Sequence, residues 1–286
     1  MRTLVHLSDL HFGRIDPATI EPLIALVAAV RPDVVVVSGD LTQRARKVEY
    51  EQAKEFLDRL PKPQIVVPGN HDVPLYRVWE RFWSPLGKYR RHIGQDLEPS
   101  FIDDEIAVLG VNTARSLTFK GGRINDEQVA SIHRQLDPLP ERLTKVVVTH
   151  HPFELPDRLE GAELVGRARL AMETFANCGV DLLLAGHFHT SHAGDTSKRY
   201  ELPGYAALAV QAGTATSTRG RGESNSFNVL RVGHDDVAVQ RYVWRPQAGV
   251  FSPEPAEHFQ RSAGRWTERP AARVSVPPPR PGAAAT

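Results

Sequence analysis

Residues 4–11 run Leu4-Val5-His6-Leu7-Ser8-Asp9-Leu10-His11, an apolar stretch that ends abruptly on an acid and an imidazole. The same change recurs four times. Val34 to Val37 leads into Gly39-Asp40, Ile65-Val66-Val67 into Gly69-Asn70-His71-Asp72, Val146-Val147-Val148 into Thr149-His150-His151, and Leu182-Leu183-Leu184 into Gly186-His187-Phe188-His189. Short apolar runs bounded by turn residues are the pattern of buried strands. In open α/β sheets the ligand crevice lies outside the carboxyl ends of the strands, so five strand ends can deliver their polar residues to one place.

The segments between these strings support an α/β fold. Leu23 to Val30 is apolar and helical in pattern, with Asp16-Pro17 as its start signal, so the chain opens as a βαβ unit. A second helix is expected from Val48 to Leu60, with Phe56, Leu57 and Leu60 on one side and Pro61-Lys62-Pro63 ending it. Strands are expected at 106–111 and 146–149, with a helix from Asp126 to Leu136 between them. Between Asp72 and Ser100 lies an aromatic and basic insertion, helical in character, with Tyr76, Trp79, Phe82, Trp83, Tyr89, Arg90 and Arg91. Its spacing suits either an aromatic face packed on the core or one wall of a substrate cleft.

After Gly186 the pattern becomes antiparallel β, through Ala206 to Ala212, Phe227 to Val232 and Val237 to Val243. These runs are expected to form a second sheet packed on the first. The fold expected is therefore a four-layer αββα sandwich of two mixed β-sheets flanked by helices. One domain is expected over residues 1–245. Residues 246–286 form a Pro/Ala/Arg-rich tail, expected to be irregular or disordered.

Composition narrows the class of partner. With 41% hydrophobic and 24% charged residues the 286-residue chain is ordinary for a soluble globular protein. Lys+Arg 35 against Asp+Glu 34 leaves a net charge of +1, which is no overall footprint for nucleic acid or an anionic membrane. Cys178 is the one cysteine, which excludes an intrachain disulfide and a cysteine-based zinc cage and suits a small buried side chain. No apolar run approaches the roughly 18 residues of a membrane span. The first strand runs into Asp9 and His11 without a charged-then-apolar leader, so a cytoplasmic location is expected. The partners expected are a small molecule and, at most, a second copy in a homodimer.

Asp, His and Asn together offer oxygen and nitrogen ligands, a mixture suited to Mn, Fe or Zn rather than to an all-oxygen Ca or Mg cage. Two such ions roughly 3.5–4 Å apart can clamp a phosphoryl group. The order D-x-H, G-D, G-N-H-D, H, G-H-x-H over about residues 5–190 resembles the calcineurin-like metallophosphoesterase superfamily. The resemblance implies two divalent metal ions, Mn, Fe or Zn. Asp9, His11, Asp40 and His189 would hold the first; Asp40, Asn70, His150 and His187 the second. Asp40 would bridge them. Either His150 or His151 could be the ligand, and the family pattern favours His150.

By the same resemblance, His71 faces the scissile phosphate as general acid or charge stabiliser, and Asp72 orients it. A metal-bridging hydroxide would attack phosphorus. Counting two dications against two carboxylates and a hydroxide leaves a residual positive charge, which suits a phosphodiester monoanion. The serine/threonine protein phosphatases show G-D-x-x-D-R-G and G-N-H-E, from which Gly39-Asp40-Leu41-Thr42-Gln43-Arg44-Ala45 and Gly69-Asn70-His71-Asp72 depart. Ser38-Gly39-Asp40-Leu41-Thr42 with Glu49-Tyr50 is instead similar to the bacterial class III cyclic-nucleotide phosphodiesterases. This implies hydrolysis of a phosphodiester, with a 3′,5′- or 2′,3′-cyclic nucleotide as the leading substrate. A phospholipid or nucleotide-sugar phosphoanhydride on the same centre is the alternative enzyme, and a non-catalytic metal-binding scaffold the alternative of another class.

Four features sit beside this set. Asn112 and Arg115 follow the strand at 106–111 and could contact substrate or belong to an ordinary loop. Arg219 and Arg221, in a Gly-rich stretch, suit an exposed turn. His192 could support His189 or lie at a strand edge. His6 is expected to pack within its strand.

Overall fold

The computed structural model describes residues 1–117, 121–156, 161–219 and 222–269. The chain begins β1 (Arg2–Leu7), α1 (Ile20–Val30), β2 (Val34–Ser38), α2 (Lys47–Arg59), β3 (Gln64–Val67), then two short helices, α3 (Val78–Trp83) and α4 (Gly87–His92). A second series follows: β4 (Ser100–Ile102), β5 (Ile106–Gly110), α5 (Asp126–Leu136), β6 (Thr144–Val148), α6 (Ala168–Cys178) and β7 (Leu182–Ala185). Further strands are β8 (His192–Asp195), β9 (Leu208–Gln211), β10 (Ser226–Val232), β11 (Asp236–Arg245), β12 (Val250–Pro253), β13 (Glu257–Ser262) and β14 (Arg265–Arg269).

Alternation along each strand sets the layers, because successive side chains point to opposite faces. Val35 and Val37 of β2 pack with Leu23 and Val27 of α1 and Phe56 and Leu57 of α2. Val34 and Val36 face the other way, sharing a core with Val146, Val148, Leu182 and Leu184 of the second sheet. Val147 and Leu183 then pack outward with Ile132 of α5 and Phe175 of α6. The result is helix, sheet, sheet, helix, as expected.

The first sheet runs β14-β13-β11-β10-β1-β2-β3, with β12 on β11, and the second runs β4-β5-β6-β7-β9-β8. Two parallel blocks matter for function. β1, β2 and β3 are parallel, as are β5, β6, β7 and β9, so each block ends all its strands at one edge.

Two expectations change. The runs after Gly186 do not form a sheet of their own: β9 joins the second sheet parallel to β7, while β10 and β11 extend the first sheet antiparallel from β1. The edge of β1 not taken by β2 needs a partner for its backbone groups, and β10 supplies it, Leu4 opposite Leu230. The expected irregular tail also starts too early. Residues 250–269 form β12 to β14, each of which buries a single aromatic, Phe251, Phe259 or Trp266, among residues that are mostly exposed or half-buried. One aromatic per short strand is too sparse to show as alternation. Residues 270–286 and Arg221 lie outside the described residues.

Within the aromatic insertion, Tyr89 is buried and donates to Val66 O at 2.8 Å. Tyr76, Trp79, Phe82 and Trp83 are exposed, so this face neither packs on the core nor lines the crevice described below. No helix among the described residues is long and apolar enough to cross a membrane.

Candidate metal centre

The loops beyond β1 and β2 continue side by side after the sheet ends. Asp9 N donates to Gly39 O at 3.1 Å and His11 N to Asp40 O at 2.9 Å, which sets the two acids next to each other. Bringing their side chains inward demands unusual backbone. Asp9, His11, Asp40, His187 and His189 all have φ between 51 and 77°. A non-glycine residue in that left-handed region costs about 1–3 kcal/mol and persists only where its surroundings enforce it. Glycine makes room between them: a Cβ on Gly186 would lie 2.6 Å from Asp9 Oδ2, and one on Gly39, at φ +88°, would lie 2.7 Å from His150 Nδ1.

Two corners result. In the first, His189 Nε2 lies 3.2 Å and His11 Nε2 3.6 Å from Asp9 Oδ1, and the two imidazole nitrogens are 3.2 Å apart. In the second, His150 Nε2 is 3.4 Å from Asp40 Oδ1 and 3.1 Å from Asn70 Oδ1, while His187 Nδ1 is 3.1 Å from Asn70 Oδ1. Asp40 serves both. Its Oδ1 faces His150 and its Oδ2 lies 3.7 Å from His11 Nε2.

The donor chemistry of these corners fits cations. His150 Nδ1 donates to Ser38 O at 2.8 Å and His189 Nδ1 to Arg219 O at 3.2 Å, which leaves each Nε2 aimed inward. Around them stand carboxylate and amide oxygens, so an inward nitrogen either carries a proton toward them, as at His150 beside Asp40, or gives its lone pair to a cation. Asp9 Oδ1 is buried with no hydrogen bond among the described residues, although its companion Oδ2 accepts from Ser8 Oγ at 2.6 Å and His187 N at 2.9 Å. A buried unsatisfied carboxylate oxygen is costly, and a metal ion resolves it.

Electrostatics point the same way. Burial pushes the Asp40 carboxyl up, but His150 and then His71 outweigh it and hold it well below the carboxylate range. Burial opposes charging of His150, yet Asp40 carries it up to about 9. Burial likewise raises Asp9, and His189 with the His11 contact overrides it, holding that carboxyl low. These acids are kept ionised in a dry site, and a divalent ion competes with imidazole protons for the same field.

The proposed ligands Asp9, His11, Asp40, Asn70, His150, His187 and His189 are thus brought together. Of the doubled histidine, His150 faces Asp40 and Asn70, whereas His151 Nδ1 meets Thr113 Oγ1 at 2.8 Å, with a ring nitrogen of His151 also within 4.8 Å of His150 and His187. His71 sits over the site, its ring centroid 4.9 Å from that of His11. Its orienting partner differs from the expectation. His71 Nδ1 meets Gln43 O at 2.9 Å, and the Asp72 carboxylate instead accepts from Leu41 N at 3.1 Å, Thr42 N and Gly69 N at 2.9 Å and Thr42 Oγ1 at 3.0 Å. Asp72 turns away because four donors of the loops after β2 and β3 surround it. Burial and the nearby Asp40 push its pKa up to about 7.

The expected substrate contacts are also placed elsewhere. Asn112 Oδ1 caps its own turn by accepting from Ala114 N at 2.9 Å, and Arg115 donates to Asn112 O at 3.0 Å, to Ala114 O at 2.9 Å and to Gln128 Oε1. They hold a loop onto α5. The cavity over the site, about 400 Å³, is lined instead by Asp40, Asn70, His71, His187, His189 and Arg219. Arg219 is masked in the sequence by its Gly-rich stretch. The signal that points to it is the strand run ending at Ala212, which can be read as one more parallel strand end. His6 is buried, with Nε2 2.9 Å from Ser38 Oγ, and His192 lies on β8 in the lining of a separate cavity.

Comparisons with known proteins agree with this geometry. Residues 2–191 match the family model described as calcineurin-like phosphoesterase. A probable glycerophosphodiester phosphodiesterase GpdQ of Arcobacter nitrofigilis is 28% identical over 164 residues, 56% of this chain and 57% of that protein. The chain thus spans little more than half of that relative's length. A 3′,5′-cyclic adenosine monophosphate phosphodiesterase CpdA of Haemophilus influenzae is 26% identical over 234 residues, 79% of each chain. A dimetal phosphatase from Danio rerio superposes with TM-score 0.60 at 15% identity, over 84% of this chain and 95% of that one, and shares its fold.

Proposed function

From the premise that this chain belongs to the calcineurin-like phosphoesterase family, we propose that it is a metal-dependent phosphodiesterase working through a dinuclear centre. The observation that carries the reading is Asp40, buried between two acceptor-rich corners with one oxygen facing each. Asp9, His11, Asp40 and His189 would hold one ion, and Asp40, Asn70, His150 and His187 the other. When bound, such a pair supplies neutralisation of phosphoryl charge and an activated nucleophile.

The chain's own residues do the rest. Ser38 O and Arg219 O fix the tautomers of His150 and His189, so their inward nitrogens stay available as ligands. Gln43 O holds the His71 ring by Nδ1, which directs Nε2 toward the cavity where a leaving-group oxygen would sit. Asp72 fastens the loops after β2 and β3 to each other, so Asp40 and His71 keep a common frame. His71 N donates to Asp40 Oδ1 at 2.8 Å, adding a direct tie.

The substrate class is a phosphodiester, with a cyclic nucleotide preferred because the cyclic-nucleotide relative matches over 79% of both chains. A glycerophosphodiester is the competitor named by the other relative. The test is metal analysis of purified protein followed by a panel of 3′,5′- and 2′,3′-cyclic nucleotides, glycerophosphodiesters, monoesters and bis-p-nitrophenyl phosphate. Turnover of diesters ahead of monoesters with about two ions per chain is expected. Bound metal with no turnover of any diester overturns the reading.

A further inference from the structure

α3 is turned inside out. Tyr76, just before it, and Val78, Trp79, Phe82 and Trp83 on it are 51 to 79% exposed, whereas Arg81 is 4% exposed and donates Nη1 to Pro74 O at 3.0 Å. Positions 79, 82 and 83 share one side of a helix, so the aromatic side faces out and the cation faces in. The two indoles pack against each other, their ring centroids 5.1 Å apart. The chain's other tryptophans, Trp244 and Trp266, are both buried. Scattered apolar side chains are ordinary on a surface, but several large ones on one short helix mark an interaction site.

A cationic cavity of about 580 Å³ adjoins this face. Arg44, Arg46, Lys47, Arg77 and Lys88 line it against one acid, Glu51, and Tyr76 belongs both to its wall and to the exposed aromatic set. Arg77 and Lys88 share Glu80, each at 2.6 Å, and Lys47 lies 3.3 Å from Glu51. Arg44 is paired with no acid among the described residues, and its guanidinium stands over the Tyr76 ring, 5.4 Å from the centroid. In a chain of net charge +1 this excess is local. Tryptophan and tyrosine rings settle at the headgroup level of a bilayer, and basic side chains beside them attract anionic lipid. A second copy of the chain fits less well, because a two-fold contact sets a patch against itself and would bring these cations onto their own counterparts.

We propose that α3 and the basic cavity beside it form a docking face for an anionic phospholipid bilayer, with Trp79, Phe82 and Trp83 entering the headgroup region and Arg44, Arg46 and Lys47 meeting lipid phosphates. The loops that carry this face also carry the metal centre. Gln43, whose carbonyl holds His71, directly precedes Arg44, and Asp72 stands two residues before the Pro74–Arg77 part of the cavity wall. A bilayer held there lies next to the loops after β2 and β3 that present Asp40 and His71. Docking of this kind needs no turnover, so it stands apart from the phosphodiesterase reading.

The test mixes the full chain with vesicles of phosphatidylglycerol and phosphatidylcholine in equal parts, or of phosphatidylcholine alone, and follows co-flotation and tryptophan emission. Wild type is expected to float with the anionic vesicles and not with the neutral ones, and to be released by salt. Its emission should shift to the blue on binding, because Trp79 and Trp83 are the solvent-exposed indoles. The pair Trp79→Ser/Trp83→Ser should lose the shift and bind at least about tenfold more weakly, and the pair Arg44→Gln/Arg46→Gln about tenfold more weakly, with thermal unfolding unchanged in both. Should one pair fail to fold, the other decides. Absence of flotation with anionic vesicles overturns the docking face, as does equal flotation with neutral ones. Affinity within about threefold of wild type in either folded pair places the binding elsewhere on the chain and overturns it too. A lipid-free dimer in sedimentation that Trp79→Ser/Trp83→Ser dissolves would assign the face to a second copy instead.

Discussion

The first sheet contains two regions that share one core and differ in what their ends can do. β1, β2 and β3 are parallel, so their carboxyl ends lie at one edge and unload Asp9, His11, Asp40, Asn70 and His71 within a few ångströms of each other. β10, β11, β13 and β14 are antiparallel, and their connections alternate between edges. Even the strained backbone is used differently. In the parallel block left-handed φ aims Asp9, His11 and Asp40 inward, whereas in the antiparallel block Ala263 at φ 51° and Gly264 at φ 75° form the two-residue turn between β13 and β14. Two consecutive left-handed residues are the signature of a hairpin turn. Parallel strands concentrate chemistry; the antiparallel extension supplies a partner for β1 and closes the inter-sheet core.

That division is breakable by substitution. The largest effect is expected from Asp40→Ala, which removes the proposed shared ligand of both corners: metal content should fall and diester turnover drop by about 10³-fold or more, with thermal unfolding little changed. Two retained ions at wild-type rate would refute the bridge. Trp266→Ala in β14 should do the reverse. Trp266 is 1% exposed, and its removal is expected to cost about 3–5 kcal/mol in denaturant unfolding while kcat of the folded fraction stays within twofold. A metal-site defect in that variant would show that the extension does more than support.

Smaller changes sharpen the contrast inside the parallel block. His71→Ala should keep its metals and lose roughly 10²–10⁴-fold in kcat, most for diesters with poor leaving groups. Equal losses across leaving groups, measured as a kcat series, would assign it to charge stabilisation instead. Gly186→Ala drives a methyl against Ser8 and Asp9, and should weaken metal affinity about 10–100-fold by titration while the fold persists. An unaltered affinity would mean that the Asp9 loop gives way freely.

Much of this division is legible in the order of residues alone. Five apolar runs ending in acids, an amide and imidazoles announce both the α/β layers and a set of metal-binding residue types, while the choice of seven proposed ligands among them follows from the resemblance to the calcineurin-like family. The helix at Asp126–Leu136 is equally plain in the sequence, and the structure adds its cap, Asn125, whose side chain accepts from Gln128 N at 2.8 Å. Asp72 is less so. Adjacency to His71 suggests that one orients the other, yet the carboxylate finds better donors in the loops after β2 and β3 than in its neighbour's ring.

The sequence by itself determined which groups could bind metal and that they sit at strand ends, since both follow from local pattern. Only the tertiary structure decided that β9 runs parallel in the second sheet while β10 to β14 complete the first, and hence that Arg219 reaches His71 across 148 positions of chain. Strand pairing is chosen by the hydrogen-bonding needs of distant edges and by the shape of a shared core, and neither is expressed in the order of neighbouring residues.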